Sequence, residues 1–324
     1  MRYMTFRHGD TTRAGVISGE SDADVVDLTV ALGTRFRDVR DVIEGGTDVW
    51  DAARLAHTSP TGESLVPLDS VAVCAPLPQP VRIRDCTLFT EHLAPSFRQL
   101  AERRAAATCD PEAELRRLEA AGECDLPELL TKQPVYYTSD HLSVSGPDDL
   151  ITAPRTSRFL DYELEYAAVL GTGGRNIAES DAAAYIFGYS ILNDWSLRDV
   201  QGAVMSTRLG PAGGKDFDRG NTFGPYVVTP DEVQDPYGLE MVARVDGVEW
   251  SRGNSRSISF TFERAIAHLS VDREMYAGEI IGSGTVLSGS GYELGRTLTD
   301  GATVELEIER LGTLRNKVAV MSDE

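Results

Sequence analysis

Three carboxylates stand at alternate positions in Phe159-Leu160-Asp161-Tyr162-Glu163-Leu164-Glu165-Tyr166-Ala167-Ala168-Val169-Leu170. Successive side chains of a strand point to opposite faces. Read as one strand, the segment puts Asp161, Glu163 and Glu165 on one face and Tyr162, Leu164 and Tyr166 on the other. Crowded carboxylates raise one another's pKa values unless a cation neutralises them. An all-oxygen donor set suits Mg2+, Mn2+ or Ca2+ better than zinc or copper. Taken alone, the pattern is explained at least as well by a solvated acidic face that blunts a sheet edge.

A second acidic segment shifts the balance. In Tyr185 to Gln201 an apolar run ends at Asn193-Asp194, and Ser196 stands where it can cap a following helix. A carboxylate at a strand end is rigidly mounted, so Glu163, Glu165 and Asp194 form the candidate ligand set. Arg198 and Gln201, three residues apart, share a helical face and can offer a planar donor fork to a carboxylate or carbonyl. A surface ion pair of Arg198 with Asp194 or Asp199 is the plain alternative. Lys215, one of only three lysines, sits in Gly213-Gly214-Lys215-Asp216. Those glycines lack the spacing of a phosphate-binding loop. The lysine is therefore either an ordinary turn residue or an ammonium placed over a developing oxyanion.

Strand signals dominate residues 134–324: Phe159 to Leu170, Ala184 to Leu192, Gly224 to Thr229, Met241 to Val245, Glu279 to Leu287 and Thr303 to Glu309. Ile258 to Leu269 and Ser196 to Met205 read as helices. This mixture predicts a β-dominated α+β fold, not a doubly wound sheet. Residues 1–75 read as a small β-rich module, with a hairpin from Met4 to Arg7 and Ala14 to Ile17 and a helix from Val42 to Ala56. The remainder, 76–324, forms the larger domain. Within it, about 94–130 is rich in Arg, Glu, Ala and Leu and predicts two helices, the second started by Asp110 and Pro111. They are either an exposed hairpin or a cover over a pocket.

Composition narrows the partners. A net charge of -20 argues against nucleic acid and against an anionic membrane surface. No run of 18 apolar residues and no signal-like start are present, which predicts a cytoplasmic protein. Cys74, Cys86, Cys109 and Cys124 show no CxxC pairing and read as reduced thiols.

In this order and spacing, the Glu163-Leu164-Glu165 strand, the Asn193 to Gln201 segment and the Gly214-Lys215-Asp216-Phe217 turn resemble the fumarylacetoacetate hydrolase family. Phe223-Gly224-Pro225 and Ala277-Gly278-Glu279-Ile280-Ile281 extend the likeness, which spans roughly residues 81 to 318. The resemblance implies a mixed β-sandwich roll, a homodimer, and a Mg2+, Mn2+ or Ca2+ ion held by Glu163, Glu165 and Asp194. It adds Asp85 as a fourth ligand and His92, seven residues later, as the base that activates water. Shorter members place a Glu three residues after that His, where this chain has Pro95. Glu293 resembles the distant acid of larger members, and Glu91 is the local alternative.

The implied reaction is hydrolytic C–C cleavage of a 1,3-dicarbonyl compound such as an acylpyruvate. The leaving carbon departs as an enolate, which the metal, Lys215 and Gln201 would stabilise. Arg198, Tyr137 and Thr285 would hold the substrate's carboxylate or oxygens. The same site serves decarboxylases, isomerases and dehydratases of 2-keto acids in this family, and a non-catalytic member is the remaining alternative.

Overall fold

The computed structural model describes residues 1–91 and 93–320, and of residues 94 and 96 the backbone alone. Its centre is the strand Leu164–Leu170, buried along its whole length. Tyr166, Ala168 and Leu170 face one core while Ala167 and Val169 face another. Its apolar run from Tyr166 to Leu170 is what a strand covered on both faces requires. It pairs antiparallel with Ile186–Asp194 on one side and Glu279–Gly282 on the other. Beyond the first, the sheet runs through Asn221–Val228 to Arg2–His8. Beyond the second, it runs through Arg82–Cys86, joined in parallel, to Tyr136–Ser139.

A five-stranded sheet covers one face, in the order Val248–Asn254, Glu240–Val245, Thr303–Ile308, Gly312–Ala319 and Leu150–Thr152. Its Met241, Ala243, Val304 and Leu306 share a core with Tyr166, Ala168 and Ile191. Two sheets burying alternate side chains against each other make a β-sandwich. The other face is covered from the N-terminal region, where Tyr3, Val16, Leu28, Val39 and Val42 pack with Ala167, Val169 and Leu192. The predicted hairpin is formed by Arg2–His8 and Thr11–Ile17. Its first strand pairs Tyr3 with Val227, so the backbone of residues 1–75 enters the large sheet directly. The architecture is the β-dominated α+β fold expected from sequence.

Three local expectations change. The helix expected over Val42 to Ala56 is two helices, Val39–Glu44 and Gly46–Thr58, because Gly46 turns the chain with φ 69°. The single strand expected over Phe159 to Leu170 breaks at Tyr162 and Glu163. Leu160–Asp161 pairs instead with Ser196–Leu197, while Glu163 donates its N–H to the Asn193 side chain and bridges to Ser290. Asp161 therefore leaves the face on which Glu165 lies. Finally, the helix after Asp194 is Arg198–Met205 and has no side-chain cap. The Ser196 hydroxyl donates to the Asp194 carbonyl and accepts from Lys215.

The helices Leu93–Ala106 and Pro111–Ala120 form the 94–130 segment, with Asp110 accepting from the Ala113 N–H as its cap. No helix among the described residues is long and apolar enough to cross a membrane.

Candidate metal-assisted active site

Sheet register brings the acidic residues together. Asp85 pairs with Gly282, which pairs with Ala167; on the other side Glu165 pairs with Leu192. Glu165 shares a face with Ala167 and Val169, Asp85 with Ile83, and Asp194 with Leu192. All three carboxylates thus emerge on one face near one end of the sheet. Among the described residues, one group of three or more His, Cys, Asp or Glu side chains could hold a metal ion: Asp85, Glu165 and Asp194, with oxygens all within 4.8 Å of one another. Gly282 makes room for it, because a Cβ there would collide with Asp85 Oδ1.

Each of these carboxylates is buried, and each leaves one oxygen without a hydrogen-bond partner: Asp85 Oδ1, Glu165 Oε2 and Asp194 Oδ1. An unpaired buried oxygen is costly. Together the three form the hard-oxygen donor set that a divalent cation would satisfy. The opposite oxygens of Glu165 and Asp194 are occupied. Thr285 donates to Glu165 Oε1 at 3.2 Å, and Tyr137 to Asp194 Oδ2 at 2.5 Å. Such outer contacts fix the orientation of a ligand.

The electrostatics agree. Burial and the nearby Asp194 push the Asp85 carboxyl up to about 8. Burial and Asp85 raise Glu165 well above the carboxylate range. Asp194 is raised to about 6 by burial, with Lys215 opposing. Burial, reinforced by Asp194, keeps the Tyr137 hydroxyl protonated far above neutral pH.

Glu163 lies outside the triad. Its two oxygens accept from Arg198 Nη1 at 2.7 Å and Lys215 Nζ at 2.6 Å. Lys215, buried, also donates to Asp194 Oδ2 at 2.5 Å and Ser196 Oγ at 2.7 Å. Burial alone would lower its pKa, but Asp194 and Glu163 outweigh that and hold it charged. Arg198 continues the chain, with Nε on Asp161 Oδ2 at 2.8 Å and Nη1 on Gln201 Oε1 at 3.1 Å. Asp161 in turn accepts from the Gly291 and Tyr292 N–H groups. Five carboxylates (Asp85, Asp161, Glu163, Glu165, Asp194) thus face two cations, Lys215 and Arg198. That excess of negative charge fits a bound cation.

Asp85, Glu163 and Glu165 line a cavity of about 580 Å³ together with Tyr137, Arg198, Gln201, Lys215 and Thr285. Glu293 stands outside that lining, where its carboxylate accepts from Ser288 N–H and Ser290 Oγ. Glu91 is exposed, and His92 lies outside the described residues. Sequence reasoning gave Ser196 only a capping role, left Asp161 out of the candidate ligand set and passed over Tyr292. Tyr292 lines the cavity beneath Arg198, 5.2 Å from its ring centre, with Arg103 of the helical segment at 4.8 Å. An isolated Tyr and Ser carry no spacing signal that would have marked them.

This arrangement, on this fold, is that of a metal-assisted enzyme. The sequence matches the fumarylacetoacetate (FAA) hydrolase C-terminal family over residues 106–319, and the chain belongs to that family. It is 28% identical to an oxaloacetate tautomerase of Bacillus subtilis over 284 residues, 86% of this chain and 84% of that one. It is 35% identical to a mitochondrial oxaloacetate tautomerase of Homo sapiens over 190 residues, 58% of this chain and 59% of the other. The solved structure of a fumarylacetoacetate hydrolase from Exiguobacterium antarcticum superposes with a TM-score of 0.73 at 24% identity, covering 99% of this chain and 100% of that one. At that identity the likeness speaks for the fold.

Proposed function

We propose that the chain converts a small 2-oxo acid through its enolate with the help of a divalent cation, Mg2+ or Mn2+ first, and that keto–enol tautomerisation is its reaction. The observation that carries this reading is the set of three unpaired buried oxygens, on Asp85, Glu165 and Asp194, beside a charged buried lysine. The length-matched tautomerase relative favours this outcome of the enolate.

Asp85, Glu165 and Asp194 would hold a divalent cation, which would supply Lewis acidity to the substrate. The protein's own part begins with Lys215, whose ammonium is locked by Glu163, Asp194 and Ser196 and so stabilises developing negative charge without reorganising. Arg198 orients Glu163 and turns the Gln201 carbonyl toward itself. That leaves the Gln201 amide donors for a substrate oxygen. Tyr137 and Thr285 aim Asp194 and Glu165 inward.

Hydrolytic C–C cleavage of an acylpyruvate is the second reading. It is favoured by the residue types His92 and Glu293, as base and orienting acid, and by a cavity roomier than oxaloacetate needs. It shares the enolate and adds an attacking water. Assembly as a homodimer belongs to the same proposal and is read by sedimentation velocity.

The test incubates purified protein with Mg2+ or Mn2+ and a panel of oxaloacetate and acylpyruvates. Faster loss of the enol absorbance with no new acid products supports tautomerisation, and paired acid products support hydrolysis. No metal-dependent change on any member of the panel would sink both.

A further inference from the structure

We propose that the substrate carries an apolar substituent, lodged in a chamber under the helical segment; this rests on the 2-oxo acid reading above. The polar end of the cavity holds Asp85, Glu165 and Lys215. The rest is lined by Leu93, Phe97 and Leu100 from the helix Leu93–Ala106, by Leu130, and by Met205 and Leu209. Leu209 is 90% and Met205 43% exposed. Apolar side chains presented to a cavity in continuity with a polar site form the usual lining of a ligand pocket. Where the two helices approach, Gly202 omits its side chain: a Cβ there would lie 3.8 Å from Leu100 Cδ1.

Volume carries the argument further. Oxaloacetate has nine non-hydrogen atoms, and even at a water molecule's ~30 Å³ each it would fill only about 270 Å³. The cavity offers about 580 Å³. Of the lining cations, Lys215 and Arg198 are held by Glu163, Asp194 and Asp161, so Arg208 alone is placed to meet a second carboxylate. The surplus space suits an alkyl or aryl group better than a diacid.

The probes are oxamate and its N-butyl, N-hexyl and N-(3-carboxypropyl) derivatives, which keep the carboxylate–carbonyl pair of a 2-oxo acid but have no enolisable carbon. Binding is measured by calorimetry on the full chain with Mg2+ present. Affinity should rise about fourfold per methylene up to the length that fills the chamber. Gly202→Leu, which fills the chamber from the cavity side, should cut the hexyl-to-oxamate affinity ratio at least tenfold. Met205→Gln, at a half-exposed position, should lower the same ratio without risk to the fold. A flat series with clear oxamate binding, or tighter binding of the carboxypropyl than the butyl derivative, overturns the apolar tail alone. If no oxamate binds at all, the 2-oxo acid reading falls and the tail with it.

Discussion

Replacing Asp85 by Asn should stabilise the metal-free protein and abolish the stabilisation that Mg2+ gives. Asp85, Glu165 and Asp194 hold oxygens within 4.8 Å of one another. At an effective dielectric of about 20, two like charges at that distance repel by about 3.5 kcal/mol. Asp85 takes part in two such pairs, which puts its penalty at roughly 7 kcal/mol. Proton uptake relieves part of it: with its carboxyl at about 8, Asp85 is half protonated at pH 8.

By linkage, a folded value of about 8 against an ordinary one of ~4 leaves about 5 kcal/mol at pH 8, or roughly 8 °C in melting temperature for a chain of this size. In chelator at pH 8, Asp85→Asn should therefore melt about 8 °C above the wild type. With Mg2+ at 100 times its Kd the wild type gains about 2.7 kcal/mol, whereas the variant gains almost nothing. The pH dependence has a defined sign. Asp85 and Asp194 have folded values raised to about 8 and about 6. A raised carboxylate stabilises only while protonated, so its contribution is present below its ordinary value near ~4 and is lost as pH rises through the folded one. The metal-free protein should lose melting temperature steadily between about pH 4 and pH 8, and Mg2+ should help most at the alkaline end. Differential scanning fluorimetry in EDTA and in Mg2+ reads both. If Asp85→Asn melts at or below the wild type in EDTA, or responds equally to Mg2+, the reasoning is refuted.

Lys215→Met leaves Glu163 and Asp194 without their shared ammonium, so urea unfolding should show a loss of about 3–5 kcal/mol, and turnover should fall at least ~100-fold. Gly282→Ala drives a Cβ into Asp85 Oδ1; calorimetry should find Mg2+ affinity down about 10-fold or more, and unchanged affinity would show that Asp85 is no ligand. Asp161→Asn weakens the anchor of Arg198 and of the Gly291–Tyr292 backbone, with an expected loss of about 2 kcal/mol and a raised KM; a fall in stability with KM unmoved would make Asp161 purely structural.

Local chemistry alone marked the acidic alternation around Glu163 and Glu165, the strand ending at Asp194, the lysine in its glycine turn and the Arg198–Gln201 face. The same local rules foresaw the N-terminal hairpin and the capped helix at Asp110 and Pro111, since hairpins and caps are governed by neighbours in sequence. Asp85 entered only by resemblance, because its place beside Glu165 depends on a parallel pairing of Arg82–Cys86 with Glu279–Gly282 across nearly two hundred residues. Tertiary structure also decided which carboxylates converge. One continuous strand would have put Asp161, Glu163 and Glu165 on a single face. The Asn193 side chain and Ser290 instead break it at Glu163, which sends Asp161 to Arg198 and gives Glu163 to Lys215 and Arg198. Strand alternation is a local rule that holds only while the ladder lasts. Where the ladder ends is set by side chains thirty and more residues away, and that is beyond the reach of spacing.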